Sequence, residues 1–328
     1  MKKGTIFSGM RPTGRLHIGH LSVLENWLKL QDDYRCFFGI VDWHALTTAF
    51  DNTGEIPANI RLMLLDWLSV GLDPEKSPLF VQSHIKQHGE LHLLLSMITP
   101  LSWLERVPTY KDQIQQLGNQ GKDIATYGFL GYPVLMAADI LVYRADTVPV
   151  GEDQIPHIEL TRELARRFNY MYQSEVFPEP QAKLAKISML PGVDGRKMSK
   201  SYNNDIPLAA SKEEILEKVQ MMVTDPARIK KTDPGHPEVC IVHTYQNIYN
   251  TVEIEELQES CRGGSMGCVA CKKKLAGVLE GLLAPIRERR QYYEEKPELL
   301  HEILVAGAQK AREQTERTME LVRKAMNV

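Results

Sequence analysis

The chain has 328 residues, of which 43% are hydrophobic and 25% charged, with a formal net charge of −3. That length exceeds one small core, so one large domain or two are expected, with the composition of a soluble globular protein. The slight negative charge requires any nucleic-acid partner to be held by local basic patches, and neither a signal peptide nor a membrane-length apolar run is present, so a cytoplasmic protein with reduced thiols and no membrane partner is expected.

In chain order, Thr5 to Gly9 reads as a short buried strand. Gly9, Pro12 and Gly14 break the chain before an amphipathic helix from about His17 to Leu30. Cys36 to Asp42 has the apolar character and length of a strand, Ile56 to Val70 has helical spacing, and Leu79 to Ser83 is a third strand. This alternation predicts βαβ units and an α/β, Rossmann-like parallel sheet. Ala125 to Tyr143 reads as helical but broken by Pro133, Val148 to Val150 as a short strand, and Asp153 to Phe168 as a helix. Pro178, Pro180 and Pro191 mark a loop region. Beyond about Asp205 strand signals fade, and Lys212–Met222, Lys273–Tyr293 and Pro297–Met326 read as helices. The chain therefore divides into an α/β part, 1–205, and an all-helical part, 206–328.

Two short motifs carry chemistry. His17-Ile18-Gly19-His20 sits where the first strand hands over to the first helix, the usual ligand edge of a parallel sheet. Backbone N–H groups and the helix dipole there favour an anion, the two imidazoles can donate to phosphate oxygens, and Gly19 lets a nucleotide lie against the backbone. Lys197-Met198-Ser199-Lys200-Ser201, next to Gly195 and Arg196, forms a cationic loop able to close over β- and γ-phosphates. Taken singly, the first motif could decorate a helix start and the second could be a solvated basic loop. In this order and this far apart, they point to attack of a carboxylate on the α-phosphate of ATP.

With both motifs the chain resembles the class I aminoacyl-tRNA synthetases over nearly its whole length. Its short length, lack of an editing insertion and helical tail resemble the subgroup that activates tryptophan or tyrosine. Tyr132, Met136 and Asp139 fall at i, i+4 and i+7, one face of a helix. An indole N–H is a donor only, so the acceptor-only carboxylate of Asp139 matches it, and Met136 can pack on the ring. A buried helix whose Asp139 pairs locally is the alternative. The segment is similar to the indole-reading helix of tryptophanyl-tRNA synthetases, and tyrosyl-tRNA synthetase is the second reading. Val148 to Gln154 is likewise similar to the tryptophan form. The resemblance implies that Gly151, Glu152 and Asp153 face ATP, and that Gln154 faces the substrate's carboxylate or amino group. It implies that Phe7, Val41, His44, Val148 and Val150 wall the ring pocket. Arg11, Pro12 and Thr13 match the ATP-contacting segment before the first motif. Many tryptophan enzymes carry Gln in place of Arg11 and a degenerate first motif; this chain departs on both counts. Lys111 matches a lysine that approaches the phosphates, although an exposed surface lysine is equally compatible with its context. The implied substrates are L-tryptophan, ATP with Mg²⁺, and tRNA(Trp). The implied catalytic residues are His17, His20, Lys111, Lys197, Ser199 and Lys200, with Met198 and Ser201 joining the ATP site. The implied assembly is a homodimer, with RNA rather than DNA as the nucleic acid. In these terms 1–205 is the catalytic domain and 206–328 the anticodon-binding domain.

Of five cysteines, Cys36 lies in an apolar strand and reads as core. Cys240, Cys261, Cys268 and Cys271 include a C-x₂-C pair, and Gly263, Gly264 and Gly267 let the chain wrap an ion or cluster. Zinc and a [4Fe–4S] cluster both accept four thiolates, and spacing does not separate them. The resemblance to tryptophanyl-tRNA synthetases with C-x₆-C-x₂-C after an upstream cysteine implies the cluster. Lys272, Lys273 and Lys274, with Arg228, Lys230 and Lys231, form a candidate basic tRNA patch.

Overall fold

The computed structural model describes residues 2–108, 110, 114, 124–184 and 190–328. Five parallel strands form one sheet in the order β3-β2-β1-β4-β5: β1 Thr5–Met10, β2 Arg35–Ile40, β3 Leu79–Val81, β4 Thr147–Val150 and β5 Gln181–Leu184. Strand order reverses between β1 and β4, the place where such sheets open a ligand crevice. Pairing there is sparse. β1 matches β2 from Thr5↔Arg35 to Met10↔Ile40, whereas β1 and β4 share one register pair, Ile6↔Thr147. The two strands therefore separate toward their carboxyl ends.

Helix α1 (Leu21–Asp33) follows β1. Helices α2 (Asp42–Ala49) and α3 (Ile56–Val70) follow β2, and α4 (Gln87–Ser96) and α5 (Leu101–Leu104) follow β3. Next come α6 (Tyr127–Leu130), α7 (Tyr132–Leu141) and α8 (Ile155–Met171). The remainder is helical: α9 (Lys212–Met221), α10 (Ile241–Tyr249), α11 (Ile254–Arg262), α12 (Cys268–Glu294) and α13 (Pro297–Met326). Among the described residues no helix is long and apolar enough to cross a membrane.

Because side chains alternate along a strand, the sheet has a core on each face. Ile6 and Phe38 join Trp27 of α1 and Trp67 of α3 on one side. Phe7 and Phe37 join Val134 of α7 and Phe168 of α8 on the other. The C-terminal helices complete both cores. Leu275, Leu279 and Leu283 of α12 belong to the first, and Ala308, Met319 and Val322 of α13 to the second.

Several elements differ from the sequence reading. The helical run does break near Pro133, but at Gly131: Pro133 sits in the first turn of α7, where its missing N–H has no intrahelical partner to lose. The loop reading of the Pro178–Pro191 region misses β5, whose four residues Gln181–Leu184 are all exposed and carry no strand-like apolar pattern. The strand reading of Cys36 to Asp42 runs too far, because Asp42 already begins α2.

Helix α13 crosses β3 at Gly307, where an added Cβ would lie 2.0 Å from the Leu79 carbonyl oxygen. Gly307→Ala should lower thermal stability, because a steric cost of about 1–3 kcal/mol outweighs a helix-propensity gain of up to about 1 kcal/mol. A melting temperature equal to or above that of the parent protein would contradict this packing.

Candidate functional site

The two motifs meet through their backbones. The Ile18 N–H donates to the Ile206 carbonyl at 2.8 Å and the Leu208 N–H to the Leu16 carbonyl at 3.0 Å, flanking an antiparallel bridge between His17 and Pro207. Residues 206–208 follow the lysine motif directly, so these bonds fasten the second motif beside the first. The lysine loop is a tight hairpin closed by a bridge between Pro191 and Lys197, with Gly195 at φ +86°. Asn204, 1% exposed, holds it from within. Its Oδ1 accepts the Ser199 N–H at 2.7 Å, and its Nδ2 donates to Asp194 at 2.8 Å and to the Lys197 carbonyl at 3.2 Å. Lys200 donates its ammonium to the Thr13 carbonyl. Met198 is buried, and its sulfur lies 3.5 Å from where a Cβ on Gly19 would be.

His17 and His20 lie on a short 3₁₀ turn before α1, with ring centroids 3.9 Å apart. Burial, the mutual proximity of the rings and Lys200 lower His17 to about 3. Burial lowers His20 to about 4, against the partial support of the His17 backbone. Both rings are therefore neutral at physiological pH, and each can offer one N–H donor. Lys200 is lowered by burial, while Asp205 and Asp66 pull it back up.

A cavity of 380 Å³ occupies the opening between β1 and β4. Phe7, Val41, His44, Val148 and Val150 all line it, as do Tyr132, Met136 and Asp139 from one face of α7. Arg11, Gly151 and Gln154 also line it. Glu152 and Asp153 instead lie exposed on a 3₁₀ turn, where the Gln154 amide donates to Asp153 at 2.7 Å. Pro12 is buried and Thr13 exposed. Lys111 lies outside the described residues, and so does the Ser201 side chain.

Asp139 is 1% exposed. Its Oδ1 accepts from Gln82 Nε2 at 2.7 Å and His88 Nδ1 at 2.6 Å; its Oδ2 accepts from Gln82 at 2.9 Å and His44 Nε2 at 2.8 Å. The other nitrogen of His88 pairs with the Tyr143 hydroxyl at 2.9 Å, and Tyr132 shares a 3.2 Å hydrogen bond with His157. Burial opposes ionisation of Asp139, yet His88 and His44 outweigh it and hold the carboxyl down to about 2. The cavity thus presents a fixed negative charge in an apolar slot, suited to a flat apolar ligand with one N–H donor. Gln82, His88 and Tyr143 escaped the sequence reading. They come from the end of β3, from α4 and from just past α7, and no local spacing relates them. The only signal was polarity inside apolar runs, such as Gln82 after Leu79-Phe80-Val81.

Far along the chain, Cys240, Cys261, Cys268 and Cys271 line one small cavity of 30 Å³. Arg228 reaches into it, with Nη1 3.8 Å from the Cys261 sulfur and 3.9 Å from that of Cys268. The other terminal nitrogen of Arg228 donates to the Lys231 and Met266 carbonyls at 2.6 Å, so Arg228 faces the thiols rather than joining an open basic patch. Lys274 pairs with Glu253 at 3.0 Å; Lys230, Lys231 and Lys273 are exposed. Among the described residues, no group of three or more His, Cys, Asp or Glu is arranged to hold a metal ion.

Comparison with known proteins identifies the class. The model of the family "tRNA synthetases class I (W and Y)" matches residues 1–284. A tryptophan–tRNA ligase of Thermotoga maritima is 52% identical, covering 98% of this chain and 99% of that protein. One from Aquifex aeolicus is 45% identical over 98% and 99%. Among solved structures, tryptophanyl-tRNA synthetase from Campylobacter jejuni complexed with ADP and tryptophan superposes with a TM-score of 0.88 at 32% identity, covering 99% of this chain and all of that one. The chain belongs to the class I tRNA synthetases of the tryptophan and tyrosine family. It is an aminoacyl-tRNA synthetase, a ligase.

If burial keeps both motif histidines neutral, their ring resonances should not titrate between about pH 5.5 and 8. Acidification should then cost stability as pH falls below the unfolded histidine value of about 6.5, because only the unfolded chain takes up those protons there. NMR titration of His17 and His20 checks this; a midpoint near 6.5 for either ring would refute it.

Proposed function

We propose that this site joins tryptophan to tRNA in two steps, so that the chain acts as a tryptophan–tRNA ligase. The observation carrying this reading is the backbone junction of the two motifs, together with a crevice lined by the buried Asp139 carboxylate. The nucleotide enters as its Mg²⁺ complex. The tryptophan carboxylate attacks the α-phosphorus in line and displaces pyrophosphate, leaving tryptophanyl-adenylate. A terminal ribose hydroxyl of tRNA(Trp), the 2′-OH by class I resemblance, then attacks the mixed anhydride and releases AMP. No protein nucleophile is needed, and the residues supply orientation and electrostatic stabilisation.

In this reading Asp139 accepts the indole N–H, and its charge is already held in place by Gln82, His44 and His88. Phe7, Tyr132 and Met136 flank the ring, while Gln154 meets the amino acid's polar end. Arg11, Pro12, Thr13, Gly19 and Gly151 line the path of the nucleotide, with Glu152 and Asp153 at its ribose end. His17 and His20 donate to the phosphates as neutral imidazoles. Lys197, Ser199 and Lys200, with Met198 and Ser201, close over the departing pyrophosphate, and the resemblance assigns Lys111 to the phosphates as well. Residues 1–205 form the activating part and 206–328 the tRNA-binding part, with Lys230, Lys231 and Lys273 contributing cationic surface. A cytoplasmic site of action belongs to the same proposal, and the free cysteines suit it.

Single-turnover adenylate formation tests both ends of the site. Lys200→Ala should slow the step by about 10²–10³-fold with little change in tryptophan affinity. Asp139→Asn turns an amide NH₂ toward three donors, and should cut kcat/KM for tryptophan about 10²-fold or more relative to tyrosine and phenylalanine. An unchanged rate in the first variant, or unchanged discrimination in the second, would sink the corresponding role.

The proposal extends to a [4Fe–4S] cluster held by Cys240, Cys261, Cys268 and Cys271. Four thiols around one cavity suit a thiolate-bound centre. The resemblance to tryptophanyl-tRNA synthetases with this cysteine spacing favours the cluster over zinc, which would need the four sulfurs at about 2.3 Å from one point. When bound, the cluster would tie the segment before α10, the end of α11 and the start of α12 together. A homodimer is the proposed assembly, supported by the exposed Leu93, Met97 and Leu101 on α4, just after it and on α5, at 55%, 66% and 63% exposure. Native mass spectrometry of anaerobically purified protein reads both. A two-subunit mass with four iron and four sulfide per chain is expected; a zinc-only mass would overturn the cluster, and a monomer the dimer.

A further inference from the structure

We propose that Asp66 is a positioning residue for the ATP site, holding the first histidine motif against the C-terminal helices. Asp66 sits on α3 and is 1% exposed. Its Oδ2 accepts the main-chain N–H of Leu16, the residue before His17, at 2.6 Å. Its Oδ1 accepts from the guanidinium of Arg290, on α12 and 5% exposed. Arg290 is itself steadied by Glu294 through Nε at 2.8 Å, and neighbouring Arg289 donates to the Ser69 carbonyl at 2.6 Å. The same carboxylate acts on Lys200 of the second motif, where its charge favours the ammonium against burial.

One buried side chain thus touches the approach to the first motif, bears on the second electrostatically, and is anchored to a helix more than 200 residues away. Stability alone gives no reason for it, since an apolar pair of similar volume would often serve as well as a buried ion pair. Two things need the carboxylate. It supplies an acceptor for the Leu16 N–H, whose own carbonyl is already paired with Leu208, and it supplies a charge that favours the Lys200 ammonium, although burial raises the Asp66 carboxyl to about 6 against the pull of Arg290. Without the acceptor, the backbone entering His17 loses its anchor on α3. The histidines and Lys200 would then meet the phosphates in a wider range of poses, while the cavity around Asp139, built from other elements, stays as it was.

The inference rests on the ATP-activating reading of the site. Tryptophan-dependent ATP–pyrophosphate exchange is measured for the parent protein, Asp66→Asn, Arg290→Gln, Arg290→Lys and the apolar double variant Asp66→Leu with Arg290→Met, titrating each substrate in turn. Thermal unfolding is followed on the same samples. Asp66→Asn and Arg290→Gln should lose about tenfold or more in kcat/KM for ATP, with KM for tryptophan within about twofold of the parent. Arg290→Lys should recover most of the loss. The apolar double variant should fold stably yet keep the ATP defect, which separates positioning from stability and decides the matter if a single variant fails to fold. Equal losses toward both substrates, or normal ATP kinetics in the double variant, would overturn the proposal. No exchange by the parent protein would instead overturn the activating function.

Discussion

The site depends on a few main-chain hydrogen bonds between residues 16–18 and 206–208. They bring together two motifs separated by roughly half the chain, and they do so through backbone, whose geometry allows little play. Each motif is then free to use its side chains. The imidazoles of His17 and His20 have no part in the bridge to Pro207, and Asn204 shapes the lysine loop from inside rather than by engaging Lys197 or Ser199 side chains. The sparse pairing of β1 with β4 is the counterpart of this tight junction, because it leaves the opening that holds the cavity.

Within that opening, charge and burial are set against each other. A carboxylate as deeply buried as Asp139 would ordinarily take up a proton; His44, His88 and Gln82 make the charged form the stable one. If Asp139 reads the ligand as proposed, a group already ionised and held in place needs little reorganisation when the ligand arrives. The motif histidines show the opposite outcome of the same physics. Burial leaves both neutral, because no carboxylate acts on His17 and the pull of the His17 backbone and Asp205 on His20 is too weak.

The sequence reading reached the parallel α/β architecture, the α12–α13 tail and the face of α7, since each rests on periodicity. It missed β5, whose exposed Gln181-Ala182-Lys183-Leu184 has no apolar alternation, and α2, which starts without a gap after an apolar strand. It drew the five ring-pocket residues Phe7, Val41, His44, Val148 and Val150, all of which line the cavity, from resemblance to a family rather than from spacing. It included Arg228 in a basic patch because charge is visible in a sequence. It could not register that the guanidinium turns inward toward two thiols.

The chain's own residues, read in order, reached the fold class and singled out His17 to His20, Lys197 to Ser201 and Asp139 as candidates, with the family resemblance weighting the roles proposed for them. Those are properties of local pattern and of residue chemistry. Only the tertiary structure decided what holds these groups: Gln82 and His88 on Asp139, Asn204 inside the lysine loop, and Asp66 between Leu16 and Arg290. Such supporting contacts join residues far apart in the chain, with no fixed spacing. They follow from how helices pack across the sheet, and packing is settled by the whole chain at once.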